Sequence, residues 1–142
     1  MDKKAREREL KRTLAYMKRQ KLITEDYEHG LQITAKAKKR LRQIDIDTLS
    51  ITIIKTWDHK WRLCFYDVPE NQKHARNTLS ASLRRLGCIQ LQRSVWIHPY
   101  PYEKELLAIA AFYGVERYIT YLETTYIANE EKLIQQFPKL HL

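Results

Sequence analysis

A chain of 142 residues has room for one ordinary domain, or for a small domain with an appendage. A hydrophobic share of 44% with only 3 Gly and 4 Pro excludes a disordered chain, and the longest apolar run, residues 106–115, is too short to cross a bilayer. The net charge of +9 lies almost wholly in the first third: residues 1–44 hold 14 Lys or Arg against 6 Asp or Glu, residues 45–142 hold 12 against 11.

That asymmetry fits an arm that meets a polyanion, and equally a solvated face that keeps the chain soluble. The charged opening Met1-Asp2-Lys3-Lys4 has no apolar stretch of the signal-peptide kind, so a cytoplasmic protein is expected, without a membrane partner.

In chain order, residues 5–21 contain no Gly or Pro and many strong helix formers, which predicts a helix. Leu10, Leu14 and Met17 make one narrow apolar stripe, while Lys4, Arg8, Lys11, Arg12, Lys18 and Arg19 cluster on the opposite face. Such a face suits phosphates, because each one neutralised releases condensed counterions. Residues 22–25 and 31–34 then read as a hairpin turning near Gly30, and Thr34 is placed to cap a second basic helix over 35–43 carrying Lys36, Lys39 and Arg40. Helix, hairpin and helix form the back half of a winged helix-turn-helix: recognition helix, wing and connecting helix. Two further helices normally pack the apolar side of the recognition helix. Here the sequence starts at that helix, which leaves Leu10, Leu14 and Met17 to pack on the body, on another subunit, or on nothing.

Residues 46–59 read as a bridging segment, and 60–142 as a body. A strand is expected at 61–68, and Pro69 suits the first turn of a helix reaching Leu86, with Ala75, Leu79, Leu83 and Leu86 inward and Gly87 as its stop. Residues 88–91 and 94–98 read as short strands and 103–113 as a helix with Leu106, Leu107, Ala110 and Ala111 inward. A long strand over 115–127 and a short helix over 130–137 complete the chain. The fold class is therefore α+β: a partial winged helix over 1–45, then a βαββαβ ferredoxin-like domain. Cys64 and Cys88 lack metal or redox spacing and read as small buried hydrophobes, and the five histidines show no metal-binding spacing.

K-W-R-L-C-F-Y-D-V-P-E at 60–70 and L-Q-R-S-V-W-I-H-P at 91–99, after the helix and wing, resemble the PaaX family of bacterial transcriptional repressors. The body also resembles the small CRISPR-associated endonuclease family, whose pattern is a strand ending in tyrosine-aspartate followed by glutamine-x-serine-valine-phenylalanine. The matching residues are Tyr66-Asp67 and Gln92-Arg93-Ser94-Val95-Trp96. The first resemblance implies a dimeric DNA-binding regulator without a cofactor. In it Arg8, Lys11, Arg12, Lys18 and Arg19 contact the groove or its phosphates, Lys36, Lys39 and Arg40 support the backbone contact, and Lys21 and His29 lie near the wing.

The second resemblance implies a nuclease in which Asp67 of two subunits holds Mg²⁺, or a non-catalytic CRISPR adaptation subunit that binds duplex DNA beside an integrase partner. One carboxylate alone does not position a hydrated Mg²⁺, so this chemistry needs the pair. The other reading of Asp67 is structural, as a cap or turn residue ahead of the helix. Ser94 lacks a base placed by the sequence, and Phe65, Tyr66 and Trp96 read either as core or as stacking platforms for single strands.

Overall fold

In this computed structural model residues 2–138 and 140 are described. The chain divides between Asp47 and Thr48 into two compact units.

The first unit holds α1 (Lys3–Arg19), the hairpin β1 (Ile23–Asp26) and β2 (Gly30–Ile33), and α2 (Ala35–Asp47). Helix α1 starts earlier than its composition predicts because Asp2 caps it, Oδ1 accepting from the Ala5 N–H at 2.7 Å. It ends at Arg19, and Lys21 takes a left-handed φ of 59° as the chain turns into the hairpin. In the hairpin Ile23 faces Ile33 and Asp26 faces Gly30, whose φ of 66° is one that a side chain disfavours. Thr34 ties the next helix to this turn. Its hydroxyl accepts from the Ala37 N–H at 3.2 Å and donates to the Lys21 and Leu22 carbonyls at 2.8 and 3.0 Å. Helix α2 runs four residues past Gln43 because nothing in Ile44-Asp45-Ile46-Asp47 breaks it.

In the second unit residues 48–60 carry no helix or strand. They lead to β3 (Trp61–Tyr66), a 3₁₀ turn (Glu70–Gln72), α3 (Lys73–Leu86), β4 (Ile89–Gln92), β5 (Val95–His98), α4 (Glu103–Tyr113), β6 (Ile119–Thr124) and α5 (Glu130–Gln135). The four strands are antiparallel in the order β4-β5-β3-β6, which is the ferredoxin-like arrangement. Helix α3 buries Leu79, Leu83 and Leu86 and ends on Gly87 at φ 97°. On the sheet Cys64, Tyr66 and Trp96 are buried as well, and Tyr66 bonds Ser80 of α3.

Several expectations fail in detail: β3 ends at Tyr66 and not at Val68, and the helix expected from Pro69 begins at Lys73 because Glu70–Gln72 forms a 3₁₀ turn. Helix α4 turns Leu106, Ile109 and Ala110 inward, while Leu107 is 47% exposed and Ala111 lies outside. The spacing i, i+3, i+4 makes a continuous apolar stripe with Ile109, and Leu107 falls beside it. The strand expected over 115–127 is only six residues long, because Glu116–Tyr118 forms a 3₁₀ turn before Ile119. Both cysteines are buried and unpaired. Burial pushes the Cys64 thiol up to about 11 and raises that of Cys88 as well, so neither is a reactive thiolate.

Candidate nucleic-acid interface

No residue of α1 is buried. Arg8, Lys11, Arg12 and Arg19 are exposed and make no ion pair with a described residue. At about 100° per residue they occupy one side of the helix. Lys18 is differently placed: its Nζ sits 2.5 Å from Glu25 Oε2 on β1 and is partly neutralised. In α2, Lys36 donates to the Gln20 carbonyl at 3.0 Å, closing the C-terminal end of α1, where a cation is favoured. Lys39 and Arg40 are exposed without an ion pair among the described residues. The eight predicted basic residues thus separate into six free charges and two that also hold the unit together.

The hairpin tip carries Tyr27, fully exposed, and His29, whose backbone N–H donates to Asp26 Oδ1 at 2.5 Å while its ring lies 3.2 Å from the same carboxylate. Lys21 lies at the base of the hairpin, away from this tip. On the other side of α1, Leu10 is 58% exposed, and Leu14 and Met17 are half-buried.

In the second unit the tip of β3 is held from both sides. The Tyr66 N–H donates to the Ser94 carbonyl at 3.2 Å, and the Asp67 N–H donates to the Tyr118 carbonyl at 3.1 Å. The Asp67 carboxylate is exposed and makes no capping bond among the described residues. Pro69 precedes the 3₁₀ turn and Gln72 precedes α3, neither with a side-chain cap bond. A helix that begins only at Lys73 is out of reach of a cap at Asp67. Among the described residues no group of three His, Cys, Asp or Glu is arranged to hold a metal, so the Asp67 of one chain does not fit Mg²⁺ by itself. Asp67→Asn is expected to change unfolding free energy by less than about 0.5 kcal/mol, since the side chain is solvated and unpartnered. Urea denaturation checks this, and a larger loss would restore a structural role for the carboxylate.

Tyr66 and Trp96 are core residues, the Trp96 Nε1–H donating to the Tyr66 hydroxyl at 3.0 Å, and neither presents a ring for stacking. Ser94 takes part in the sheet through its carbonyl. Phe65 is different. Residues alternate across a strand, so Leu63 and Phe65 face away from α3 and α4. Register places Val95 and Thr120 opposite Phe65, and Ile97 and Leu122 opposite Leu63. Phe65 and Leu122 are each 38% exposed, which leaves an apolar patch on the open side of the sheet. Leu63 and Leu122 are not among the sequence-predicted site residues, although the alternation in Trp61–Tyr66 puts Leu63 on the face of Phe65.

No helix among the described residues is long and apolar enough to cross a membrane. Comparison with curated proteins and with solved structures gives no match. The description "PaaX protein central Cas2-like domain" matches residues 54–134, more than half of the chain and all of the four-stranded sheet. The ferredoxin-like body, with its tyrosine-aspartate strand end and its β4–β5 hairpin, therefore makes this chain a member of the PaaX family.

Proposed function

We propose that the chain is a DNA-binding transcriptional regulator of the PaaX kind, cytoplasmic and acting as a dimer. The observation that carries this reading is the free basic face of α1. Four cations on one helix side, with no acidic partner among the described residues, meet the phosphate backbone at little desolvation cost. Lys39 and Arg40 of α2 add backbone contacts, and the helix–hairpin–helix order supplies the recognition helix and wing of a partial winged helix. Lys18 and Lys36 contribute less, because Glu25 and the Gln20 carbonyl already engage them.

Replacing Arg12 and Arg19 together by Gln is expected to weaken duplex binding about 10- to 100-fold near physiological salt, and to lower the slope of log affinity against log salt by about 2. Fluorescence anisotropy over a salt series measures both quantities. Unchanged affinity and slope would remove the main support for the reading.

Dimerisation is assigned to the open sheet face, where Phe65 and Leu122 leave apolar surface that a second copy would cover. Phe65→Glu is expected to convert dimer to monomer in light scattering while leaving the fold intact, since the side chain already meets solvent. A parent chain that is monomeric at micromolar concentration would sink this assignment.

A further inference from the structure

A polar cleft of about 190 Å³ opens between α3 and the β4–β5 hairpin, well away in the sequence from the basic residues of the first unit. Arg76, Asn77 and Ser80 line it from α3, and Gln90, Arg93 and Ser94 from the hairpin. No Asp or Glu lines it. The cleft is below the few hundred Å³ that a drug-sized ligand needs, but a water occupies only about 30 Å³, so a small anion and its first waters fit.

Its floor is held in one arrangement. The Trp96 Nε1–H donates to the Tyr66 hydroxyl at 3.0 Å, and the Ser80 hydroxyl donates to the Arg76 carbonyl at 3.1 Å. The proton between Tyr66 and Ser80, 2.5 Å apart, is therefore that of Tyr66. The chain of donors ends on the backbone of Arg76, whose guanidinium lines the cleft. On the other wall the Gln90 amide donates to the Arg93 carbonyl at 2.9 Å and fixes the hairpin turn.

The charges are left available. Arg76 is mostly buried, at 18% exposed, and spends one N–H on Glu70, a carboxylate 77% exposed, at 3.1 Å. A pair with so solvated a partner is weak, and four of the five guanidinium donors have no partner among the described residues. The Arg93 guanidinium makes no ion pair with a described residue. Arg84, two helical turns beyond Arg76 on the same row, is taken up elsewhere, lying 5.3 Å over the Trp96 ring. Two forked cations lining a carboxylate-free cleft suit the oxygens of a phosphate.

We infer that this cleft binds a phosphate group, with Arg76 and Arg93 as its clamp and Asn77 as a neutral donor. The group belongs either to a DNA backbone or to a soluble phosphorylated compound. Only the first source rests on the DNA-binding reading above.

Inorganic phosphate titrated into the ¹⁵N-labelled full chain at constant ionic strength, with chloride as control, tests the site. Saturable amide shifts are expected at Asn77, Ser80, Arg93 and Ser94. Arg93→Gln should weaken them about tenfold, with Arg76→Gln as a second variant and unchanged spectra elsewhere certifying the fold. Absence of a saturable shift beyond that of chloride, or wild-type phosphate binding by both variants, overturns the proposal. Duplex titrations then separate the sources. A salt slope lower by about one in Arg93→Gln identifies a backbone phosphate, and unaltered duplex binding with weakened phosphate binding identifies a soluble ligand. Arg12 and Arg19 take no part in the phosphate titration, so failure of the α1 reading leaves this result standing.

Discussion

Replacing Arg62 by Met is expected to cost the second unit about 2–4 kcal/mol. Arg62 lies inside β3, 3% exposed, between apolar neighbours. Its guanidinium forks onto Asp58, at 2.8 and 2.6 Å, and Nε donates to Glu123 Oε1 on β6 at 3.0 Å. It also donates to the Pro99 and Lys60 carbonyls at 2.8 and 3.1 Å. Burial opposes its charge, but the bonds to Asp58 and Glu123 outweigh burial and raise its pKa. The same fork lowers that of Asp58. Methionine restores volume but not the five bonds. Asp58 and Glu123 are 37% and 43% exposed and regain water, and Trp57 still donates to both carbonyls, at 2.9 and 2.8 Å, which keeps the loss below that of a fully buried pair. Guanidinium denaturation measures it. A loss under about 1 kcal/mol would show that the network is not needed to tie the 57–60 segment and β6 to the centre of the sheet.

Acidification is expected to remove about 3 kcal/mol from the second unit between neutral pH and about pH 4, chiefly through His98. Burial holds this imidazole down to about 4 from its ordinary 6.5, the Tyr100 carbonyl 3.3 Å from Nδ1, an acceptor for the protonated ring, opposes that shift, and the Arg62 charge adds to it. Nδ1 accepts from the Tyr100 N–H at 3.0 Å, so the neutral ring carries its proton on Nε2. Tyr102 from the start of α4 and Phe137 beyond α5 pack against the ring without supplying a carboxylate. As pH falls through 6.5 the unfolded chain takes up a proton that the folded one refuses until about 4. Stability is complete above 6.5, declines across that window, and levels off below it. A difference of about 2.5 units at about 1.4 kcal/mol each gives the size. The contribution of Asp58, whose folded pKa is depressed, is present above the ordinary carboxylate value and lost only below it, so the two windows are separate. His98→Asn keeps an acceptor for the Tyr100 N–H and removes the titration. Urea curves at several pH values should then be flat between 6.5 and 4, and a slope equal to the parent's would assign the effect elsewhere.

Both effects concern groups whose type the sequence displays but whose surroundings it hides. An arginine in the run Trp61-Arg62-Leu63-Cys64 is an evident oddity, yet its partners come from residues 58, 99 and 123. Likewise, Lys73, Arg76, Arg84 and Arg85 without an acid on α3 are legible as a basic helix, whereas the Arg93 that completes the cleft arrives on a hairpin folded back against it.

Element type and order depend on local physics, and the sequence by itself determined them. Helical periodicity in 3–19 and 73–86, glycines that accept a left-handed φ at 87 and 114, and the Thr34 cap act within a few residues of where they stand. The tyrosine-aspartate strand end and the 91–99 run were enough to indicate the family. Only the tertiary structure decided which side of α4 is buried, where β6 begins, that Asp67 caps nothing, and which of the predicted cations are free. Those outcomes depend on contacts between residues far apart in the chain, where packing volume and hydrogen-bond geometry choose among locally equivalent arrangements. Lys18 and Arg19 are adjacent and alike in sequence, and a carboxylate on a neighbouring strand makes one a structural tie and leaves the other without an ion pair among the described residues.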